Sequence, residues 1–366
     1  MSKYFLSIII FFTLILIVNA QTDSSKTASA HIPEFEVSDV IDSDYDLGDC
    51  SNSALNLPAS DWGLSFGNSK DFTGIRINAS ECGIGNINGI NITLWSPKYF
   101  DNSNVNGFSF GVAPAAGNLT GFQFGLVAAI ASNNMTGLNY GSLALISDEN
   151  MSGISISGLA LISGRDITGL NFSGLATVAE GNLTGISLSG LALIANKNLT
   201  GINIGGLAMV SKGNLTGINF SGIAMVSEEN ITGINIGGIA LVSNGNITGY
   251  NFGLGALVSD ENIVGLNTSL GGIISKGTIG GITFNGYKTE TENMWGVNTT
   301  IGITKANNFT GLSVSGLNRF TGAQVGISIG LVNIAESLSG IQLGLLNIVK
   351  SNPAPFRILP FINIGM

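Results

Sequence analysis

Eleven glycines, Gly121, Gly137, Gly153, Gly169, Gly185, Gly201, Gly217, Gly233, Gly249, Gly265 and Gly281, recur every 16 residues without slippage. A fixed period of this kind marks a repeat architecture, in which one unit stacks on copies of itself because no copy buries enough surface alone. Less regular copies continue the series at Gly74, Gly89 and Gly107 and at Gly296, Gly311, Gly326 and Gly340, eighteen in all. One elongated array is expected, in place of two globular domains.

The copy from Asn182 to Lys197, NLTGISLSGLALIANK, shows what is being repeated. Ile186 and Leu188 alternate with Ser187, Ser189 and Gly190 interrupt, and Leu191, Ala192, Leu193 and Ile194 resume. The period is two, broken, then two again, as in strands joined by a corner. Gly, Asn and Ser recur too often for a helical stripe to survive. Gly190 and its equivalents Gly174, Gly206, Gly222 and Gly238 stand where the alternation changes phase, which suits a corner with positive φ or close backbone approach.

Two all-β architectures can use such a unit. The expected one is a repeat β-solenoid with about 16 residues per coil; the alternative is an antiparallel outer-membrane β-barrel with one strand per repeat. Identical residues at identical phases favour the solenoid, because parallel stacking sets like on like. Asn182, Asn198, Asn214, Asn230 and Asn246 then form a ladder of amides, each donating to one neighbour and accepting from the other. The aromatic girdles of a barrel are also missing, since no Tyr or Trp lies between Tyr140 and Tyr250. Finally, the copy from Gly326 to Gly340 is 14 residues long, a loss that a corner tolerates and a continuous strand does not. Within each coil the expected inward set is Ile186, Leu188, Leu191 and Leu193, with Leu183 as a fifth. Ser187, Asn203, Asn219 and Asn235 would form an outer polar strip, beside an outer apolar strip of Ala192 and Ile194 that marks an interaction surface.

The flanking zones differ in character. Residues 1–20 carry Lys3, the apolar run Ile8 to Val18 and a small-residue end at Ala20, the pattern of a cleaved export signal. Residues 21–55 read as an acidic flexible linker, 56–120 as irregular N-terminal repeats or a cap, 121–280 as the regular array and 281–366 as irregular C-terminal repeats and a cap. After export, Cys50 and Cys82 either pair or remain two separate thiols.

Chemistry is sparse in this chain. Fourteen Lys and Arg against 23 Asp and Glu give a net charge of -9, the wrong sign for nucleic acid. One His and two Cys are too few for a His- or Cys-rich metal site or a disulfide scaffold. Asp42, Asp44 and Asp46 alternate as in a calcium loop, but Leu47 and Ser53 stand where that loop needs Gly and a bidentate Glu. Adjacent turn residues such as Glu228 and Glu229 cannot face one substrate from two sides. No phosphate-binding loop and no nucleophile with its base emerge, so neither an enzyme nor a cofactor is expected. The many Asn-x-Thr triplets, as at Asn182 and Asn198, recur because the repeat recurs.

The pattern G-[IL]-x-[ILF]-[SG]-G-[LI]-A-[LM]-[VI], together with the closing stretches after Gly326 and Leu359, resembles a bacterial surface-repeat family from leptospiral-type genomes. The resemblance spans roughly residues 74–366. It implies export and display at the outer membrane or cell surface, or secretion. It implies no reaction. With the chemistry sparse and an apolar strip on the outside, the residues themselves point to a structural or binding scaffold, with adhesion as one role, that meets a surface or extracellular partner or associates with a membrane surface. Family members often carry Asn after the Gly-Leu pair, as at Asn333 and Asn347, whereas the central copies have Leu193 or Met209 there. The alternative fold would instead imply a pore or transport role.

Overall fold

The computed structural model describes residues 50, 53–58, 60–95, 98 and 100–365. The expected export signal, nearly all of the acidic linker, the chain's one histidine at position 31 and the calcium-like carboxylates lie outside them. The described chain is a β-solenoid of about 17 turns of roughly 16 residues each. Each regular coil contributes a seven-residue strand, such as Leu183–Ser189, and a four-residue strand, such as Ala192–Ala195. Both pair in parallel with the next coil in unbroken register, Gly185 opposite Gly201 and Ala192 opposite Ala208. The antiparallel barrel is thereby overturned. Only the two ends pair antiparallel: Ala54–Leu57 on Trp62–Gly67 at the start, and Ile358–Ile364 on Ser337–Val349 at the finish. These end strands occupy edges that would otherwise template aggregation.

The period-setting glycines are required twice over. From Gly74 to Gly340 they all have positive φ, for example 118° at Gly185 and 120° at Gly201, a region that side chains rarely enter. A Cβ on Gly201 would also lie 2.0 Å from the carbonyl oxygen of Gly185. The corner glycines differ, because only close approach constrains them: a Cβ on Gly206 would meet the Gly190 oxygen at 1.9 Å. In the short copy, Gly326 still faces Gly340 and Val332 still faces Leu346. The residues missing from this copy come out at the corner and at the turn, and the strands keep their phase.

The orientation of the long strand corrects the sequence reading. Ile186, Leu188 and Leu191 do not face inward; they are half-exposed, while Ser187 and Ser189 are buried. In the next coils, Ile202 and Ile204 are 39% and 38% exposed and the intervening Asn203 is fully buried. The core is made instead by the columns of Leu183 and Leu193, with Ala192 and Ala195 beside them. Ile194 faces outward as expected, but Ala192 is buried in its coil, and the strip formed by Ser187, Asn203, Asn219 and Asn235 is internal. Buried amides need partners, and stacking supplies them. Asn203, Asn219, Asn235 and Asn251 each donate Nδ2–H to the next Asn Oδ1 along the column, ending on Asn267, at 2.9–3.0 Å.

Two outcomes test this packing. Gly201→Ala is expected to destabilise the array by at least about 3 kcal/mol in denaturant titrations, through positive φ and the backbone clash together, while exposed Thr200→Ala stays within about 0.5 kcal/mol. Asn235→Ala strands one donor on Asn219 and one acceptor on Asn251, and is expected to cost about 2 to 5 kcal/mol by the same measurement.

Candidate functional site

The Asn182, Asn198, Asn214, Asn230 and Asn246 column lies at the turn, outside the core, and is a continuous ladder. Asn198 donates Nδ2–H to Asn182 Oδ1 at 3.1 Å, Asn230 to Asn214 at 2.9 Å and Asn246 to Asn230 at 3.0 Å. The same oxygens also accept backbone N–H groups, as Asn182 Oδ1 does from Asn198. Asp166 takes one place in the column and accepts from both the backbone and the side chain of Asn182. These bonds use up the amides in holding turns together.

Among the described residues, a third ladder, at the phase of Leu193, runs through the last coils. Asn318 donates to Asn333 at 2.8 Å and Asn333 to Asn347 at 2.7 Å, all fully buried. Leu193 and Met209 fill that column with apolar core in the central coils. The Asn203 column is legible in sequence as a strip of like residues, Asn203, Asn219, Asn235, Asn251 and Asn267 at one phase, but the sequence reading sets it outside and misses that it is an internal ladder.

At the N-terminal end, Cys50 and Cys82 form a disulfide. Beside it, Arg76 and Glu81 make a fully buried ion pair. Arg76 stands in the internal amide column, in register with Asn91. It donates to Asn91 Oδ1 at 2.9 Å, to Asn68 Oδ1 at 3.1 Å and to Ser69 Oγ at 3.2 Å, while Glu81 accepts from Asn91 and Thr93. A buried pair without such bonds would be strongly unfavourable. Here the cluster plugs the end of the polar column, and its groups face one another and not a cleft.

The turn carboxylates are spread along the array. Glu229 and Glu261 accept from Asn214 and Asn246, and Asp260 pairs with Lys276 at 2.8 Å. Glu149 pairs with Arg165 at 3.4 Å. Hydrogen bonding to Lys288, with Lys305 adding to it, lowers the Glu290 pKa. Asp148 is displaced the other way: burial, and then the charge of Asp101, raise its pKa to about 6. Among the described residues no group of three or more His, Cys, Asp or Glu is placed to hold a metal ion.

What the coil does present is a divided exterior. Moving outward around one coil, Thr184 is polar, Ile186, Leu188, Leu191 and Ile194 are apolar, and Asn196 and Lys197 are polar again. Register repeats this order from coil to coil, so the surface is an apolar arc and a polar arc running lengthwise. Aromatic rings join the apolar arc near its start, where Phe108 stacks on Phe122 at 5.1 Å and Phe124 on Tyr140 at 4.7 Å. No family model matches this chain, and no curated protein or solved structure is similar to it.

Because the folded-state pKa of Asp148 lies above its ordinary value of 3.8, its contribution to stability is fully present below about pH 4 and is lost as pH rises through about 6. Asp148→Asn is therefore expected to raise the melting temperature above pH 6 and to flatten its fall between pH 4 and 6, read by thermal unfolding across that range.

Proposed function

We propose that this protein is a non-catalytic, exported scaffold that displays its repeated exterior at the cell surface or in the medium and binds there. The observation that carries this reading is the repetition of one set of outward side chains, coil after coil, through the regular part of the array. A surface built this way offers many equivalent contacts to an extended partner, so that weak individual contacts sum to strong attachment. In support of it, the buried amides and the buried Arg76 are engaged in ladders, turns and the N-terminal plug. The signal-like segment of residues 1–20 supports export, and a disulfide between Cys50 and Cys82 suits an oxidising compartment.

In cells that make it, the mature chain is expected to begin at Gln21 by N-terminal sequencing and to be lost when intact cells are treated with protease, or else to be recovered from the medium. A chain that keeps Met1 and stays protected inside intact cells would overturn the proposal.

A further inference from the structure

We propose that the apolar arc is a lipid-binding face, on which the solenoid lies lengthwise with its Leu191 corner immersed in the acyl region of a membrane. This rests on the reading of the chain as a surface scaffold and names the chemistry of what its outer face meets.

The first observation is extent. Over the ten turns from Gly121 to Gly281, none of the outward positions equivalent to Ile186, Leu188, Leu191 and Ile194 carries a charge. Ten turns at ~4.8 Å, spanned by eight residues at ~3.3 Å, make an apolar surface on the order of 1,000 Å², beyond the few hundred Å² that soluble monomers expose.

The second is the corner. Corners of this kind usually carry Gly and polar residues, yet Leu175, Leu191, Leu207, Ile223 and Ile239 occupy it in succession. Where glycine takes that place, at Gly255 and Gly271, the leucine moves back one residue. Leu254 and Leu270 then stand 47% and 65% exposed. An apolar side chain is thus kept at the corner even when the order of the two residues is reversed.

The third is the backbone. Acyl chains accept no unpaired N–H group, and loops seldom meet that condition. Here the N–H groups of Leu191, Leu207, Ile223 and Ile239 each donate to the equivalent carbonyl one coil earlier at 2.8 Å. Those of Ala192, Ala208, Ala224 and Ala240 donate to the same carbonyls at 2.9–3.1 Å. The polar side chains of the adjoining strands, such as Asn203 and Ser189, point inward and are buried.

The geometry also separates lipid from a second copy of this chain. A twofold contact uses one self-complementary patch. Flat packing through the Ile186 and Leu188 columns would leave the Leu191 corner and the Ile194 column in water. A fluid acyl layer covers all four columns at once, while Thr184 and Lys197 on the polar arc remain among headgroups and water.

The test uses the full mature chain with phosphatidylcholine vesicles, alone or mixed with anionic phosphatidylglycerol, in flotation gradients. Binding is expected to both, at low and high salt alike. The triple substitution Leu207→Glu, Ile223→Glu and Ile239→Glu is expected to weaken it at least about tenfold, and Thr200→Glu, Thr216→Glu and Thr232→Glu to leave it unchanged. Should the corner variant fail to fold, Leu207→Trp carries the test: acyl-brominated phosphatidylcholine is expected to quench its added fluorescence, but not that of Thr216→Trp. A wild-type chain that stays unbound to both vesicles, or that forms a discrete dimer in place of floating with them, overturns the proposal. Because vesicle binding is read without reference to where the cell places the protein, failure here leaves the exported scaffold standing, and mislocalisation leaves lipid binding standing.

Discussion

Parallel pairing of each coil with the next in unbroken register is the constraint on which everything else in this molecule depends. It brings the carbonyl of one period-setting glycine to where a Cβ of the next would be, 2.0 Å away at Gly201, so a side chain at any of these positions would push two coils apart. The same register sets Asn on Asn and Leu on Leu. Ladders follow from this, because an amide that donates one coil along and accepts from the other side is matched on both sides when its neighbours are also amides, as Asn219 is between Asn203 and Asn235.

The interior consequently takes in columns of buried amides and hydroxyls, and the exterior keeps an apolar arc. Near its start the internal column holds the buried Arg76, in register between Ser65 and Asn91, and its bonds to Asn68, Asn91 and Glu81 close that end. The later column of Asn318, Asn333 and Asn347 ends where Asn347 donates to the carbonyls of Gly344 and Leu359, the second belonging to the antiparallel end strand. Both caps therefore do the same job: they supply partners that a further coil would have supplied. The side chains excluded from this interior, Ile186, Leu188 and Leu191 with Ile194, have only the outside left to them.

That partition places the charges as well. Glu149, Arg165, Lys197, Glu229, Asp260 and Lys276 belong to the polar turn arc, while the apolar arc through the regular coils contains none. Toward the C-terminal end, Glu290, Lys305 and Arg319 enter the Ile194 column, and the divided character of the surface weakens there. A scaffold that meets its surroundings along one side is the simplest use of such a body.

The sequence by itself determined the period, the all-β character, the parallel stacking and the ladder of Asn182, Asn198 and Asn214, since each of these is a matter of identity at a fixed spacing. Tertiary structure alone decided which parity of the long strand faces in. Alternation sorts Leu183, Ser187 and Ser189 from Ile186 and Leu188, but it does not say which set is buried. Judged within one copy, Ile outranks Asn and Ser for burial; judged within the stack, Asn203 costs little inside because Asn219 is there to accept its proton. A property shared between coils cannot be read from any one of them, and for that reason the apolar arc became visible only once the coils were in place.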